Sequence, residues 1–145
     1  MADVGAPLDQ VAARPTHILV VDDEVFNRDL MVRTFARSGE VVAAADGAAA
    51  LAVLERWPVD ILVTDLALGR LSGVELAHTV RARWPAVRIV VVTGFDHDLL
   101  LLQARAAGVV DDVIGKPWHP AQLRERVLAL LAARLVTPAA GDLSP

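Results

Sequence analysis

The sequence predicts an α/β protein, a three-layer sandwich in which a five-stranded parallel sheet lies between two layers formed by five helices. Five short apolar runs, continuous in Val, Ile and Leu, alternate with stretches whose apolar residues have helical spacing. Strands with apolar residues on both faces are buried on both faces, and their alternation with helices indicates right-handed crossovers and a parallel sheet. A hydrophobic content of 54% supplies the core that such a sheet needs.

Length and composition are typical of one compact domain outside the membrane. The chain has 145 residues, no apolar run long enough to span a bilayer, and a start that lacks the basic-then-apolar pattern of a signal peptide. It contains no cysteine, which excludes disulfides and thiolate metal sites. We therefore expect a cytoplasmic location. We interpret residues 1–15 as a flexible leader, 16–136 as the domain and 137–145 as a tail or linker stub.

The charge distribution gives no indication of a nucleic-acid partner. The net charge is −4, and the basic residues form no stripe. Arg124, Arg126 and Arg134 lie along one predicted helix with Glu125 among them, and we interpret them as a solvated face.

Each predicted strand is an apolar run that stops at a polar or turn residue. The five runs are 17–21, 41–44, 61–64, 88–92 and 112–115. The predicted helices between and after them cover 24–37, 47–56, 72–83, 98–107 and 120–135. Phe26, Leu30 and Phe35 have helical spacing in the first helix, Asp98 suits the N-cap of the fourth, and Pro120 suits the first turn of the fifth.

Polar side chains follow four of the predicted strands at the point where each strand ends. Asp22 and Asp23 follow the first strand, Asp65 the third, Thr93 the fourth and Lys116 the fifth. The carboxyl ends of parallel strands lie at one edge of a sheet, where α/β proteins bind their ligands. We therefore expect three carboxylates, one hydroxyl and one ammonium group to meet at that edge.

Such a cluster requires a cation. Two carboxylates about 4 Å apart repel by roughly 4 kcal/mol at an effective dielectric constant near 20, so three do not stay ionised together unaided. Carboxylate oxygens suit a hard ion such as Mg²⁺, which prefers to share its coordination with a phosphoryl group. Lys116 can pair with one phosphoryl oxygen and Thr93 can donate a hydrogen bond to another, so the cluster indicates a phosphoryl-transfer site.

Four segments resemble the receiver domain of two-component response regulators, a CheY-like family of phosphorelay signal transduction. They read ILVVDDE (18–24), LVTDL (62–66), VVTG (91–94) and GKP (115–117), and each closes a predicted strand. Their order and their intervals match the family over about residues 16–136. The resemblance implies a flavodoxin-like fold.

The resemblance also implies that Asp65 is a phosphoacceptor. Its carboxylate would attack the phosphorus of a phosphohistidine on a sensor histidine kinase or a histidine phosphotransfer protein and become an aspartyl phosphate. The chain would then be a signalling switch that acts by protein–protein contact. It would catalyse its own phosphorylation and dephosphorylation rather than act as an enzyme on a separate substrate.

By the same resemblance, the remaining residues of the cluster hold the metal and the phosphoryl group. Mg²⁺ would be bound by Asp22, Asp23, Asp65 and the backbone carbonyl of Ala67. Thr93 and Lys116 would contact the phosphoryl oxygens, with a cis bond between Lys116 and Pro117.

The chain departs from the family at two places. Many receivers have Tyr or Phe three residues before the lysine, whereas this chain has Val113, so the usual aromatic route of signal transmission is in doubt. The common Met-Pro-Gly after the acceptor is replaced by Ala67, Leu68 and Gly69, so we expect a more flexible loop.

Two alternatives stay open at this point. An aspartate-nucleophile phosphatase of the haloacid dehalogenase type would need a second Asp where this chain has Ala67. The chain is also compatible with a receiver domain cut from a larger transcription factor or hybrid kinase, because residues 137–145 suit a linker. No P-loop and no G-x-G-x-x-G is present, which disfavours nucleotide binding.

Four successive leucines, 99–102, open the fourth helix. They cover about 300° of the helix circumference, so at least one of them faces away from the sheet. We interpret this leucine as part of a contact surface. It would serve a homodimer through the face of the fourth helix, the fifth strand and the fifth helix, or the docking of a partner.

The histidines and tryptophans show no metal-binding spacing. We interpret the four histidines as surface or turn residues; they are His17, His78, His97 and His119. Trp57 and Trp84 each precede a proline at the end of a predicted helix, where they would pack as caps, and Trp118 would pack at the last turn.

Overall fold

The computed structural model describes residues 14–94 and 98–142, and it confirms the predicted α/β architecture. The strands are β1 (His17–Val21), β2 (Glu40–Ala44), β3 (Ile61–Asp65), β4 (Arg88–Thr93) and β5 (Asp112–Gly115). The helices are α1 (Val25–Phe35), α2 (Gly47–Arg56), α3 (Gly73–Arg83), α4 (Leu99–Ala106) and α5 (Pro120–Asp142). None of the described helices is long and apolar enough to cross a membrane.

The five strands form one parallel sheet in the order β2-β1-β3-β4-β5. The order places β3 in the centre, with β1 on one side and β4 on the other. Asp65 therefore ends the central strand, and in the register it lies opposite Val92 of β4. Residues that follow β1, β4 and β5 consequently surround Asp65 at one edge of the sheet.

Alternate residues of the inner strands point into two separate cores. Leu19 and Leu62 belong to the core beneath α2, α3 and α4, whereas Ile18 and Ile61 belong to the core beneath α1 and α5. All four side chains are fully buried. The period of two residues along a strand thus produces the three layers, with the sheet in the middle.

Local capping sets where three of the helices begin. The side chain of Asp46 accepts a hydrogen bond from the Ala49 N–H at α2, and Asp98 accepts one from Leu101 at α4. At α3, Ser72 and Glu75 form a reciprocal capping box. These hydrogen bonds satisfy backbone N–H groups of the first helical turn that would otherwise have no partner.

The structure shows which side chains of α1 are buried, and it corrects the interpretation of His17. Phe26 is 66% exposed and does not join the core, since α1 buries Met31, Thr34 and Phe35 instead. His17 is buried and stacks on Trp57, so it is not a surface residue.

Two further differences concern α5. Arg126 is not simply solvated, because its Nε donates to Asp112 Oδ2 over 2.9 Å. The helix also continues to Asp142, past the end expected near residue 135. Residues 1–13, 95–97 and 143–145 lie outside the described part, and with them lie His97, most of the interpreted leader and the end of the interpreted tail.

Candidate functional site

The end of β1 presents Asp22 as a buried carboxylate and Asp23 as an exposed one. Asp22 Oδ1 accepts a hydrogen bond from the Glu24 N–H over 2.9 Å. The Asp22 carbonyl accepts another from Arg28 Nη1 over 2.8 Å. These two hydrogen bonds fix the turn between β1 and α1. No side chain accepts a capping hydrogen bond from the first turn of α1.

Asp65 ends the central strand and is only 8% exposed. Its Oδ1 accepts a hydrogen bond from the Leu66 N–H over 2.8 Å, which orients the carboxylate. The Gly73 N–H donates to the Leu66 carbonyl over 2.7 Å and so ties the start of α3 to the residue after Asp65. The strand end and the helix start are therefore one packed unit.

Lys116 brings its ammonium group to the two buried carboxylates from the end of β5. Its Nζ lies 3.3 Å from Asp65 Oδ1 and 3.9 Å from Asp22 Oδ2. The Lys116 N–H donates to the Thr93 carbonyl over 2.9 Å, and the Lys116–Pro117 bond is cis, as predicted. Thr93 itself is buried at the end of β4, opposite Gly115 of β5.

The three carboxylates form a compact acidic cluster. One oxygen each from Asp22, Asp23 and Asp65 lies within 4.8 Å of the others. Burial raises the pKa of Asp22, and the charges of Asp65 and Asp23 raise it further; the Glu24 N–H and Lys116 act in the opposite direction. An all-oxygen set whose charges repel in this way suits a hard divalent cation.

The structure brings together Asp22, Asp23, Asp65 and Lys116 as the sequence predicts, and it places Thr93 at the neighbouring strand end. Ala67 lies exposed in the loop between β3 and α3, two residues after Asp65. Its assignment as a carbonyl ligand stays a prediction.

The sequence did not predict that α1 contacts the acidic cluster, where Arg28 donates a hydrogen bond to the Asp22 carbonyl. A cavity of about 360 Å³ also lies beside Lys116, lined in part by Leu30 and Trp118. The helical spacing of α1 did not reveal these contacts, because they depend on how α1 is rotated against the sheet.

Comparison with known proteins identifies the family to which this constellation belongs. Residues 18–128 match the family described as the response regulator receiver domain. The chain belongs to that family. The haloacid dehalogenase alternative is therefore wrong. The matched residues begin in β1 and end within α5.

Longer regulators contain domains similar to this receiver. It is 34% identical over 115 residues to the alkaline phosphatase synthesis transcriptional regulatory protein PhoP of Bacillus subtilis, covering 79% of this chain and 48% of that protein. It is 32% identical over 118 residues to the hydrogenase transcriptional regulatory protein HoxA of Cupriavidus necator, covering 81% of this chain and 24% of that protein. The receiver thus spans about half or less of the length of these relatives.

A solved structure has the same fold. The CheY-like receiver domain of Methanospirillum hungatei superposes with a TM-score of 0.80 at 26% identity, covering 85% of this chain and 98% of that one. The observed sheet order and the five surrounding helices agree with this likeness.

Position 113, where the family resemblance implies an aromatic residue in many receivers, is aliphatic in this chain. Val113 lies in β5, is partly buried and packs against the core beneath α2, α3 and α4. The neighbouring Asp112 is bound by Arg105 and Arg126, so this strand is joined to both α4 and α5.

Proposed function

We propose that this receiver takes a phosphoryl group onto Asp65 from a phosphohistidine of a sensor histidine kinase or histidine phosphotransfer protein, and that it signals by protein–protein contact. The observation that carries the proposal is the meeting of three carboxylates and Lys116 at the end of the central strand. Phosphoryl transfer uses every member of this set.

In the proposed reaction the Asp65 carboxylate is the nucleophile. An oxygen of Asp65 forms the new bond to phosphorus while the bond between phosphorus and the donor's imidazole nitrogen breaks, and the imidazole leaves. The Leu66 N–H and Lys116 both hold Oδ1, so the carboxylate is oriented before the donor arrives. After transfer, Lys116 pairs with a phosphoryl oxygen, and the Thr93 hydroxyl donates to another.

We propose Mg²⁺ as the cofactor, held by Asp22, Asp23, Asp65 and the Ala67 carbonyl. The ion would neutralise the negative charge of the carboxylates and of the phosphoryl group during transfer. Burial raises the pKa of Asp22 and the neighbouring carboxylates of Asp65 and Asp23 raise it further, so a cation beside them would stabilise the ionised form. The buried Asp22 and the exposed Asp23 would each offer the ion a carboxylate oxygen.

Incubation with acetyl phosphate tests the proposal without a partner kinase. With Mg²⁺ we expect the protein to gain the mass of one phosphoryl group, and peptide mapping to place it on Asp65. The matched sample contains a chelator in place of Mg²⁺ and should gain nothing. Equal labelling in both samples, or a label on another residue, would contradict the proposal.

We further propose that α4, β5 and α5 form the face through which the receiver meets a second copy of itself. Leu99, Leu100 and Leu102 are 66%, 64% and 44% exposed, whereas Leu101 is fully buried. Three exposed leucines within about one turn of the helix form an apolar surface larger than the single exposed leucine that the sequence required.

Leu100→Glu should weaken self-association of the phosphorylated protein by about 10-fold or more, since burying a leucine contributes roughly 1.5–3 kcal/mol. The matched control is Gln103→Glu, which adds the same charge at an exposed position of the same helix. Sedimentation equilibrium measures both variants. An unchanged dissociation constant for Leu100→Glu, or equal weakening by the two variants, would refute the role of the leucines.

A further inference from the structure

A cavity of about 350 Å³ lies between the start of α2 and the loop that joins β3 to α3. Its volume falls within the range of roughly 300–1,000 Å³ that is typical of small-molecule sites. None of its lining residues is among those that we propose to bind Mg²⁺ or the phosphoryl group. The cavity is therefore a candidate site of its own.

Three leucines form the apolar walls of this cavity. Leu51 comes from α2, whereas Leu68 and Leu71 come from the loop. Leu68 is only 3% exposed, and Leu51 and Leu71 are partly buried against the same core. Leu71 lies directly against α2 because Gly47 has no side chain, and a Cβ at residue 47 would overlap Leu71 Cδ2. A ligand in the cavity would thus meet aliphatic side chains from two elements.

Two charged side chains of opposite sign line the same cavity. Asp46 and Arg70 are both exposed, so their charges lie on its solvent side. Asp46 uses Oδ1 to accept a hydrogen bond from the Ala49 N–H over 2.8 Å and keeps the charge of its carboxylate. Arg70 has no ion-pair partner among the residues that the structure describes. The guanidinium group of Arg70 is therefore available to a ligand.

Opposite charges beside apolar walls favour a ligand that carries both charges. The guanidinium group of an arginine binds a carboxylate through parallel N–H donors, and a carboxylate in turn binds an ammonium group. A ligand with a carboxylate alone would be repelled by Asp46, and a ligand with an ammonium group alone would be repelled by Arg70. An aliphatic α-amino acid carries both groups on one carbon atom, and its side chain matches the leucine walls.

We propose that this cavity binds a free aliphatic α-amino acid such as leucine. The carboxylate of the ligand pairs with Arg70, its ammonium group pairs with Asp46, and its side chain is buried among the three leucines. The proposal is independent of phosphoryl transfer. Its tests contain no Mg²⁺ and no phosphoryl donor, so their failure would leave the role of Asp65 untouched.

Titration of the full chain with leucine, followed through backbone amide signals in ¹H–¹⁵N NMR spectra, tests the site. We expect saturable shifts at Gly47 and Gly69, with a dissociation constant on the order of millimolar or below for so small a ligand. The amide of Gly108 should not shift, because it lies before β5 at the opposite edge of the sheet. The absence of saturable shifts at Gly47 and Gly69, or equal shifts at Gly108, would overturn the proposal.

Two analogues of leucine test the two charges separately. 4-Methylpentanoate lacks the ammonium group, and 3-methylbutylamine lacks the carboxylate. We expect each analogue to bind at least about 10-fold more weakly than leucine, because each loses one ion pair and keeps the charge that is repelled. Binding of either analogue as tightly as leucine would contradict recognition of a zwitterion.

Arg70→Gln tests the carboxylate contact from the side of the protein. The side chain is exposed, so the fold should be retained. Leucine should bind the variant about 10-fold more weakly, whereas 3-methylbutylamine should bind it at least as tightly as it binds the parent protein. Arg37→Gln is the matched control, since Arg37 is exposed beyond the end of α1 at the opposite edge. Unchanged leucine binding by Arg70→Gln, or equal weakening in both variants, would overturn the assignment of the cavity.

Discussion

Asp65→Asn is expected to abolish Mg²⁺-dependent phosphoryl uptake from acetyl phosphate. The amide is a far weaker nucleophile than the carboxylate, and it removes one of the three charges that attract the cation. The substitution conserves shape, so the fold should be retained, and loss of the buried negative charge relieves repulsion with Asp22. We expect the initial rate of labelling, measured by intact mass, to fall at least about 1,000-fold, as other losses of a nucleophile do.

Asp46→Asn is the matched control for this variant. Asp46 follows β2 at the same edge of the sheet and serves as the N-cap of α2. Its replacement by Asn is the same chemical change as in Asp65→Asn. Asparagine caps a helix about as well as aspartate does, so labelling should proceed at the parent rate. Labelling that persists in Asp65→Asn, or that falls equally in both variants, would show that Asp65 is not the acceptor.

Gly73→Ala is expected to destabilise the fold and to disturb the acceptor at the same time. A Cβ at residue 73 would lie 2.3 Å from the Asp65 carbonyl oxygen and 2.9 Å from the Leu66 Cα. Both neighbours are backbone atoms of the packed unit at the end of β3, so they cannot rotate away. We expect the free energy of unfolding, measured with urea, to fall by about 1–3 kcal/mol, and the labelling rate to fall with it.

Gly94→Ala separates this steric effect from the loss of a glycine as such. A Cβ at residue 94 would meet nothing within 4 Å, so its effect on stability should stay within about 0.5 kcal/mol. Equal stability of Gly73→Ala and the parent protein would mean that β3 and α3 adjust without cost, which would contradict the close packing of Gly73 on Asp65.

The bounds of a strand or helix were predictable from the sequence where the residues that set them lie within or next to it. The bounds of β1 and β5 coincide with the predicted ones, because a run of apolar residues ends at Asp22 in the first case and at Lys116 in the second. The start of α4 was predictable for a similar reason, since Asp98 bonds to the N–H of Leu101 within the same turn. Such signals lie within a few residues of the element that they define.

Side-chain burial was less predictable where two faces of an element compete. Phe26 has the helical spacing of a core residue, yet it is exposed, because the rotation of α1 against the sheet buries Met31 and Phe35. His17 is buried because Trp57 and Glu40, from other elements, surround it. No pattern within one segment contains these contacts.

By itself, the sequence determined the alternation of strands and helices and the polar residue at each strand end. Only the tertiary structure decided that β3 lies in the centre, because strand order depends on pairing between segments far apart in the chain. The central position brings Asp22 and Asp23 to Asp65 from one side. On the other side, the Lys116 side chain extends across the end of β4 and reaches the same carboxylate. The distances that make this edge a site for a cation and a phosphoryl group follow from that packing.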